Sequence, residues 1–294
     1  MNQSEIREKL FQPLHPLLLL DAVLVYVLGV GIADYLGTII DWDTALLGLI
    51  WVIALHIGSG YLFTYFRPRD DRFAAKNPGQ NLVEQTPLWV GLTFLAILAS
   101  LTVALIAADG LGLGSWVLMI LLLIGALTSV VPPLQFTRSS FRELIFSIAY
   151  ATLIPALAFS LQAGSLHRLV SMSTFPLTWL HFATLLATRF PSYARDQKEK
   201  NPSLVVHLGW EQAMKWINIA ILATYFFLAV AMLMGLPTTI ALPAFLTLPL
   251  GLLEIWYFSR IAAGVKPNWK LLRWLSISLF GLTAYLLTLT FWIR

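Results

Sequence analysis

The chain has 294 residues, 58% of them hydrophobic and only 12% charged, with a formal net charge of +4. A soluble domain usually carries about a quarter charged residues, so this balance excludes an ordinary soluble globular fold. The absence of cysteine excludes disulfides and thiolate metal sites and leaves the redox compartment open.

The apolar residues come in runs of about 20, the length that crosses ~30 Å of hydrocarbon as a helix. Backbone groups in lipid must satisfy one another, so such runs must be helical. The ten-residue alternation of a membrane β-barrel is not seen. Residues 1–15 carry mixed charge and no small-residue cleavage site, and read as an interfacial lead-in rather than a removable signal. Nine spans follow, at 16–37, 44–66, 87–109, 112–131, 142–164, 169–190, 212–235, 237–258 and 271–293. Asp109-Gly110 and Gly235-Leu236-Pro237 are breakers of the kind expected between antiparallel helices. The expected fold is an all-α integral membrane protein, one domain over 1–294. Its helices form a bundle around an apolar cavity, with segments 67–86 and 189–211 as cap loops.

Lys and Arg are distributed unevenly. The N-terminus and the loops after spans two, four, six and eight hold 17 of the 19, and the other side holds only Arg168 and Arg294. The positive-inside rule then places the N-terminus in the cytoplasm and the C-terminus outside, in a multi-pass protein of the cell inner membrane. The loops after spans two and six are also long and polar. In the plainer reading they are topology signals alone.

Their residue order argues for more. A shift of 125 residues lays Asp71 on Asp196 and brings Lys76-Asn77-Pro78 within one position of Lys200-Asn201-Pro202. The same shift superposes His56 on His181. This suggests two pseudo-repeats of four helices plus a ninth. Both histidines sit just before a cap loop and read either as satisfied core residues or as cavity lining. Asp21 also lies within a span, where a charge is costly and usually faces the bundle interior. Asp34 and Glu254, near span ends, read as interfacial. A transporter is the rival class for a membrane bundle with repeats. Here the repeats are parallel and the polar residues gather at one face, which favours an interfacial site.

The segment FPSYARDQKEKNPSLVVHLG, from Phe190, resembles the second motif of the UbiA-type membrane prenyltransferases. Phe190, Pro191, Tyr193, Asp196, Leu204, Val206, Leu208 and Gly209 match in register. Pro132, Pro133, Leu134, Glu143 and Leu144 resemble the family's P-P-L with a following Glu-Leu, and Ser160–Gly164 its L-Q-x-G. NLVEQ after the first loop is similar to a stretch of the 1,4-dihydroxy-2-naphthoate-type quinone prenyltransferases. The resemblance implies a nine-helix fold and transfer of an isoprenoid chain from a polyprenyl diphosphate to a membrane-soluble, quinone-precursor-like acceptor. It also implies Mg²⁺, which bridges carboxylates and phosphate oxygens and neutralises the leaving diphosphate.

The carboxylates of that pattern are reduced here to one per motif. Phe63, Thr64, Arg67 and Arg69 stand at positions where the family has polar or acidic residues, and Ser192 replaces an Asp. Asp71 and Asp196 remain as the implied metal ligands. Arg67, Arg69, Arg189, Arg195 and Lys200 are candidates for binding diphosphate through charge-assisted hydrogen bonds. Ser192, His56 and His181 are candidates for the cavity wall. The alternative is a non-catalytic protein of the same fold that binds an isoprenoid or another lipid phosphate. In a third reading the arginines pair with Asp70, Asp71, Asp196 and anionic head groups.

Overall fold

The computed structural model describes residues 16–66, 78–108, 111–132, 141–198 and 203–293. Every regular element among them is helical: α1 Pro16–Tyr35, α2 Trp42–Phe66, α3 Pro78–Ala107, α4 Leu113–Val130, α5 Arg142–Ile148, α6 Ile154–Ala163, α7 Arg168–Arg189, α8 Tyr193–Lys198, α9 Leu204–Leu208, α10 Trp210–Leu233, α11 Thr238–Phe245, α12 Leu248–Ala262 and α13 Trp269–Trp292. Nine stretches among the described residues are long and apolar enough to cross a membrane. The protein is an all-α integral membrane bundle, as the apolar runs require.

Two spans are not simple helices, and proline explains both. In span five a π turn, Ala149–Leu153, joins α5 to α6. Pro155 cannot donate to the carbonyl four residues back, and its ring crowds that carbonyl. A π turn relieves the clash by widening the coil. Span eight breaks between α11 and α12, next to Pro243 and Pro249. The Thr247 hydroxyl at the break donates to the Ala244 carbonyl at 2.7 Å, and lies 2.9 Å from Tyr225 Oη and 2.8 Å from Thr283 Oγ1. Irregular backbone at membrane depth is tolerated where side chains of neighbouring helices satisfy it in this way.

The bundle closes on itself. Helix α1 packs against α6 and also against the last helix, α13. Trp292 Nε1 donates to the Val27 carbonyl at 3.3 Å, and Tyr35 meets Phe291 edge-on at 5.5 Å. Within a membrane, helices associate through close packing and interhelical hydrogen bonds rather than through water exclusion. Tyr26 Oη donates to the Ala45 carbonyl at 2.8 Å, Trp51 Nε1 to Thr102 Oγ1 at 3.0 Å, and Ser115 and Ser160 share a bond of 3.0 Å. Asp41 begins α2 as its cap. The Thr44 hydroxyl donates to it at 2.6 Å and the Asp43 N–H at 3.1 Å. These bonds, Thr44 first, hold its carboxyl below the usual carboxylate value.

The approach of α1 to span five depends on Gly29. A Cβ there would stand 2.8 Å from Ala158 Cβ and closer still to the Pro155 carbonyl oxygen. Backbone cannot give way as a side-chain tip can. Gly29→Val is expected to lower stability by about 1–3 kcal/mol, the usual cost of overpacking. The check is the thermal midpoint of the purified protein in detergent.

Candidate functional site

Helices α2, α4 and α7 end, and α1, α3 and α5 begin, at one end of the bundle, called here the cap end. Helix α7 does not stop at the end of its span. A 3₁₀ turn, Phe190–Ser192, carries it into α8, so the motif residues stay in helical register. Ser192 and Asp196 therefore share a face, as residues four apart do on a helix. Ser192 Oγ donates to Asp196 Oδ2 at 2.7 Å and also approaches the Arg189 carbonyl at 3.0 Å. Where the resembling pattern has a second acid, this chain has a hydroxyl that donates to the first.

Asp196 is 3% exposed. It lies within electrostatic reach of Arg189, which belongs to a charged cluster drawn from two spans. Glu143, in the first turn of α5 and 2% exposed, receives a hydrogen bond from Arg142 Nη2 at 3.1 Å. The same oxygen lies 3.6 Å from Arg189 Nε. Its other oxygen accepts the Leu204 N–H at 3.4 Å, tying α9 to span five. Arg142 is itself buried. Ions out of water need partners and satisfied hydrogen bonds, and Glu143 supplies both at this point. Arg189 meets Glu143 through Nε, which leaves its two terminal nitrogens outside that contact.

Of the expected anion-binding residues, Arg189 is in this cluster and Arg195 lies exposed on α8. Arg67, Arg69, Asp71 and Lys200 lie outside the described residues, as does the rest of 67–77. Among the described residues no group of three or more His, Cys, Asp or Glu side chains is placed to hold a metal.

A second polar cluster lies deeper. Tyr150, on the π turn, has its hydroxyl hydrogen-bonded to His56 Nδ1. The His181 ring stacks on Tyr150 at 5.6 Å and meets Phe280 at 4.8 Å. Asp21 lies within electrostatic reach of Tyr150. His56 and His181 thus come together on one tyrosine. The reading of both as satisfied core histidines fails for His181. It is 1% exposed and neither ring nitrogen has a hydrogen-bond partner among the described residues.

Sequence reasoning missed three participants. Arg142 had counted only as a topology cation and Glu143 only as a point of resemblance. An adjacent Arg-Glu pair opening an apolar span was the available signal. Tyr150 gave none, since a tyrosine in a span is unremarkable until the π turn places it. Glu254 corrects another expectation. Placed near a span end, it had read as interfacial, but it is 1% exposed and its Oε1 accepts the Ser276 hydroxyl at 2.5 Å. It sits on α12 with eight residues still to run, and faces α13 rather than water or head groups.

No family model matches the sequence, and no curated protein matches it. Solved structures do. A UbiA homologue from Archaeoglobus fulgidus bound to GPP and Mg²⁺ is 17% identical, with a TM-score of 0.63 over 94% of this chain and 99% of that one. The same homologue bound to Cd²⁺ gives 0.64 at 17% identity, and bound to DMAPP and Mg²⁺ 0.63 at 17%, each with the same two coverages. At that identity the likeness is one of architecture, and it extends over nearly the whole of both chains. The chain has the fold of the UbiA homologues.

Proposed function

We infer that the protein is a UbiA-like prenyltransferase. In this reading it transfers an isoprenoid chain from a polyprenyl diphosphate to a membrane-soluble, quinone-precursor-like acceptor. The observation that carries the reading is the charged cluster at the cap end, where buried Asp196 and the Arg189 guanidinium lie on the continuous helix of span six, in a fold whose solved examples include one bound to GPP and Mg²⁺ and one bound to DMAPP and Mg²⁺. The bundle end that carries this cluster faces the cytoplasm in this reading, by the positive-inside rule.

Mg²⁺ requires about six oxygen ligands in near-octahedral geometry and keeps several waters or phosphate oxygens. Asp196 offers a carboxylate, and Ser192 a hydroxyl already directed at it. These residues fit a metal held by few protein ligands and mainly by diphosphate, with Asp71 as the second carboxylate. When bound, the ion neutralises the charge that develops on the departing diphosphate. Arg189 then serves the same anion with a planar pair of donors, held in place by Glu143. Arg195, exposed on α8, is proposed to bind the same diphosphate, as are Arg67, Arg69 and Lys200, which lie outside the described residues. The apolar bundle below receives the prenyl chain.

Turnover tests the reading. Purified protein is incubated with geranyl diphosphate and 1,4-dihydroxy-2-naphthoate, and prenylated product and released diphosphate are measured. Both are expected with Mg²⁺ and neither after chelation. Tight binding of geranyl diphosphate with no product under either condition favours the non-catalytic isoprenoid or lipid-phosphate binder. The replacement of most motif carboxylates gives that second reading its support.

A further inference from the structure

A groove between α10 and α12 plays no part in the reading above. Its volume is about 390 Å³, within the ~300–1,000 Å³ of small-ligand sites. Trp210, Glu211, Lys215 and Asn218 line it from α10 and Phe258 from α12. Deeper in the membrane the two helices meet at Gly251. A Cβ there would stand 3.0 Å from Ile221 Cγ2 and 3.2 Å from Tyr225 Cε2. The groove therefore ends above that contact and runs up to the cap-end termini of both helices, Trp210 and Ala262. Trp216, Ile219, Leu252 and Trp256 are exposed on the same two helices, so its surroundings are a lipid-facing surface.

The polar residues of the groove are ordered by depth. Glu211, Lys215 and Asn218 lie on one face of α10, at a spacing of four and then three residues. At 1.5 Å per residue, Lys215 stands about 6 Å and Asn218 about 10.5 Å below Glu211. Glu211 and Lys215 have the order and spacing of a favourable helical ion pair, yet none joins them among the described residues. Asn218 Oδ1 is buried and has no hydrogen-bond partner there either, which is rare enough to require a reason. A half-turn of the amide presents its NH₂ in the same place, so it can meet a carbonyl as well as a hydroxyl.

We propose that this groove binds one phosphatidylethanolamine molecule from the bilayer. Its ammonium lies on Glu211, its phosphate on Lys215 and an ester carbonyl on the Asn218 amide, and its chains pass down the apolar face. The depth order of anion, cation and amide selects this head group. The ammonium donates a charge-assisted hydrogen bond to a carboxylate. Phosphatidylcholine has no N–H to donate, and phosphatidylglycerol brings no cation to Glu211. Trp210 belongs at the head-group level, where tryptophan is enriched. Phe258, on the groove wall, packs on Phe190 at 5.5 Å, so the bound lipid rests against the support of the turn into α8. The site stands independently of the prenyltransferase reading.

The test titrates the full chain in detergent with short-chain phosphatidylethanolamine, phosphatidylcholine and phosphatidylglycerol, and counts bound lipid by native mass spectrometry. The wild type is expected to favour phosphatidylethanolamine over each of the others by about 5-fold, the scale of one charge at a bilayer surface. In Glu211→Gln that preference over phosphatidylglycerol should vanish. Lys215→Gln and Asn218→Leu should weaken all three lipids by a similar factor, since phosphate and ester are common to them. Arg273→Gln, an exposed cation on α13 outside the groove, should change none of these affinities. Glu211, Lys215 and Arg273 are exposed, so their variants should fold, and unchanged thermal midpoints check that they do. A wild type that favours phosphatidylglycerol, or a preference that survives Glu211→Gln, overturns the proposal. So does an Arg273→Gln effect as large as that of Lys215→Gln, which would mark diffuse attraction. Displacement of the lipid by excess O-phosphoethanolamine would assign the groove to a soluble phosphate and overturn it as well.

Discussion

Replacing Glu143 by Ala is expected to destabilise the protein by about 3–5 kcal/mol, the cost of removing one partner from a buried ion pair. Glu143 and Arg142 are 2% and 6% exposed and bonded at 3.1 Å. The substitution takes the carboxylate away from a buried guanidinium and brings a second one, Arg189, close without the charge that lay between them. The Arg189 contact contributes less, because it is longer and that side chain is 40% exposed. The Leu204 N–H loses its acceptor as well, so the segment that carries α9 should loosen from span five. Glu143→Gln separates charge from geometry, since the amide oxygen still accepts a hydrogen bond. It should cost less than Glu143→Ala and keep the Leu204 contact. Thermal midpoints of the two variants check the order, and amide exchange at 204–208 reads the loosening. Equal midpoints for wild type and Glu143→Ala would show that the cluster is not a stabilising element.

The second large effect concerns Asp196. Its replacement by Ala is expected to reduce Mg²⁺-dependent binding of geranyl diphosphate by at least about 100-fold. Loss of an outer-shell partner alone typically costs about 10–100-fold in metal affinity, and Asp196 is proposed as a direct ligand. Affinity measured without metal should change little, because the arginines act on the phosphate oxygens without the carboxylate. Ser192→Ala should have a smaller effect in the same direction. It removes the hydroxyl that orients Asp196 at 2.7 Å and leaves the ligand itself. Isothermal titration with and without Mg²⁺ separates the two. If Asp196→Ala weakened binding equally in both conditions, Asp196 would be supporting the fold and not a metal.

The spans were legible because crossing hydrocarbon imposes a length and a composition that survive without any knowledge of packing. The continuation of α7 into α8 was half legible. Ser192 and Asp196 are four residues apart, a spacing that puts two side chains on one face of a helix, and the hydrogen bond between them shows that face. The Arg142–Glu143–Arg189 cluster was not legible as a unit. Glu143 and Arg189 are 46 residues apart in the chain, and whether a loop cation pairs with an acid depends on how the cap end closes. The π turn was hidden for another reason. Pro155 announces a disturbance in span five, but a kink and a π turn relieve the same clash, and here the π turn carries Tyr150 against His56 and His181. The 125-residue shift put the two histidines at equivalent positions of the pseudo-repeats, each just before a cap loop. That His181 lacks partners required the positions of every neighbouring helix.

The most direct test of the account is equilibrium binding of labelled geranyl diphosphate to the purified full chain, with Mg²⁺ and with chelator, against excess geraniol as competitor. The account predicts saturable binding that Mg²⁺ strengthens and that resists geraniol in both conditions, because charge at the cap end and not the hydrocarbon chain supplies most of the affinity. Binding that is indifferent to Mg²⁺ and displaced by geraniol, or no binding in either condition, would contradict it.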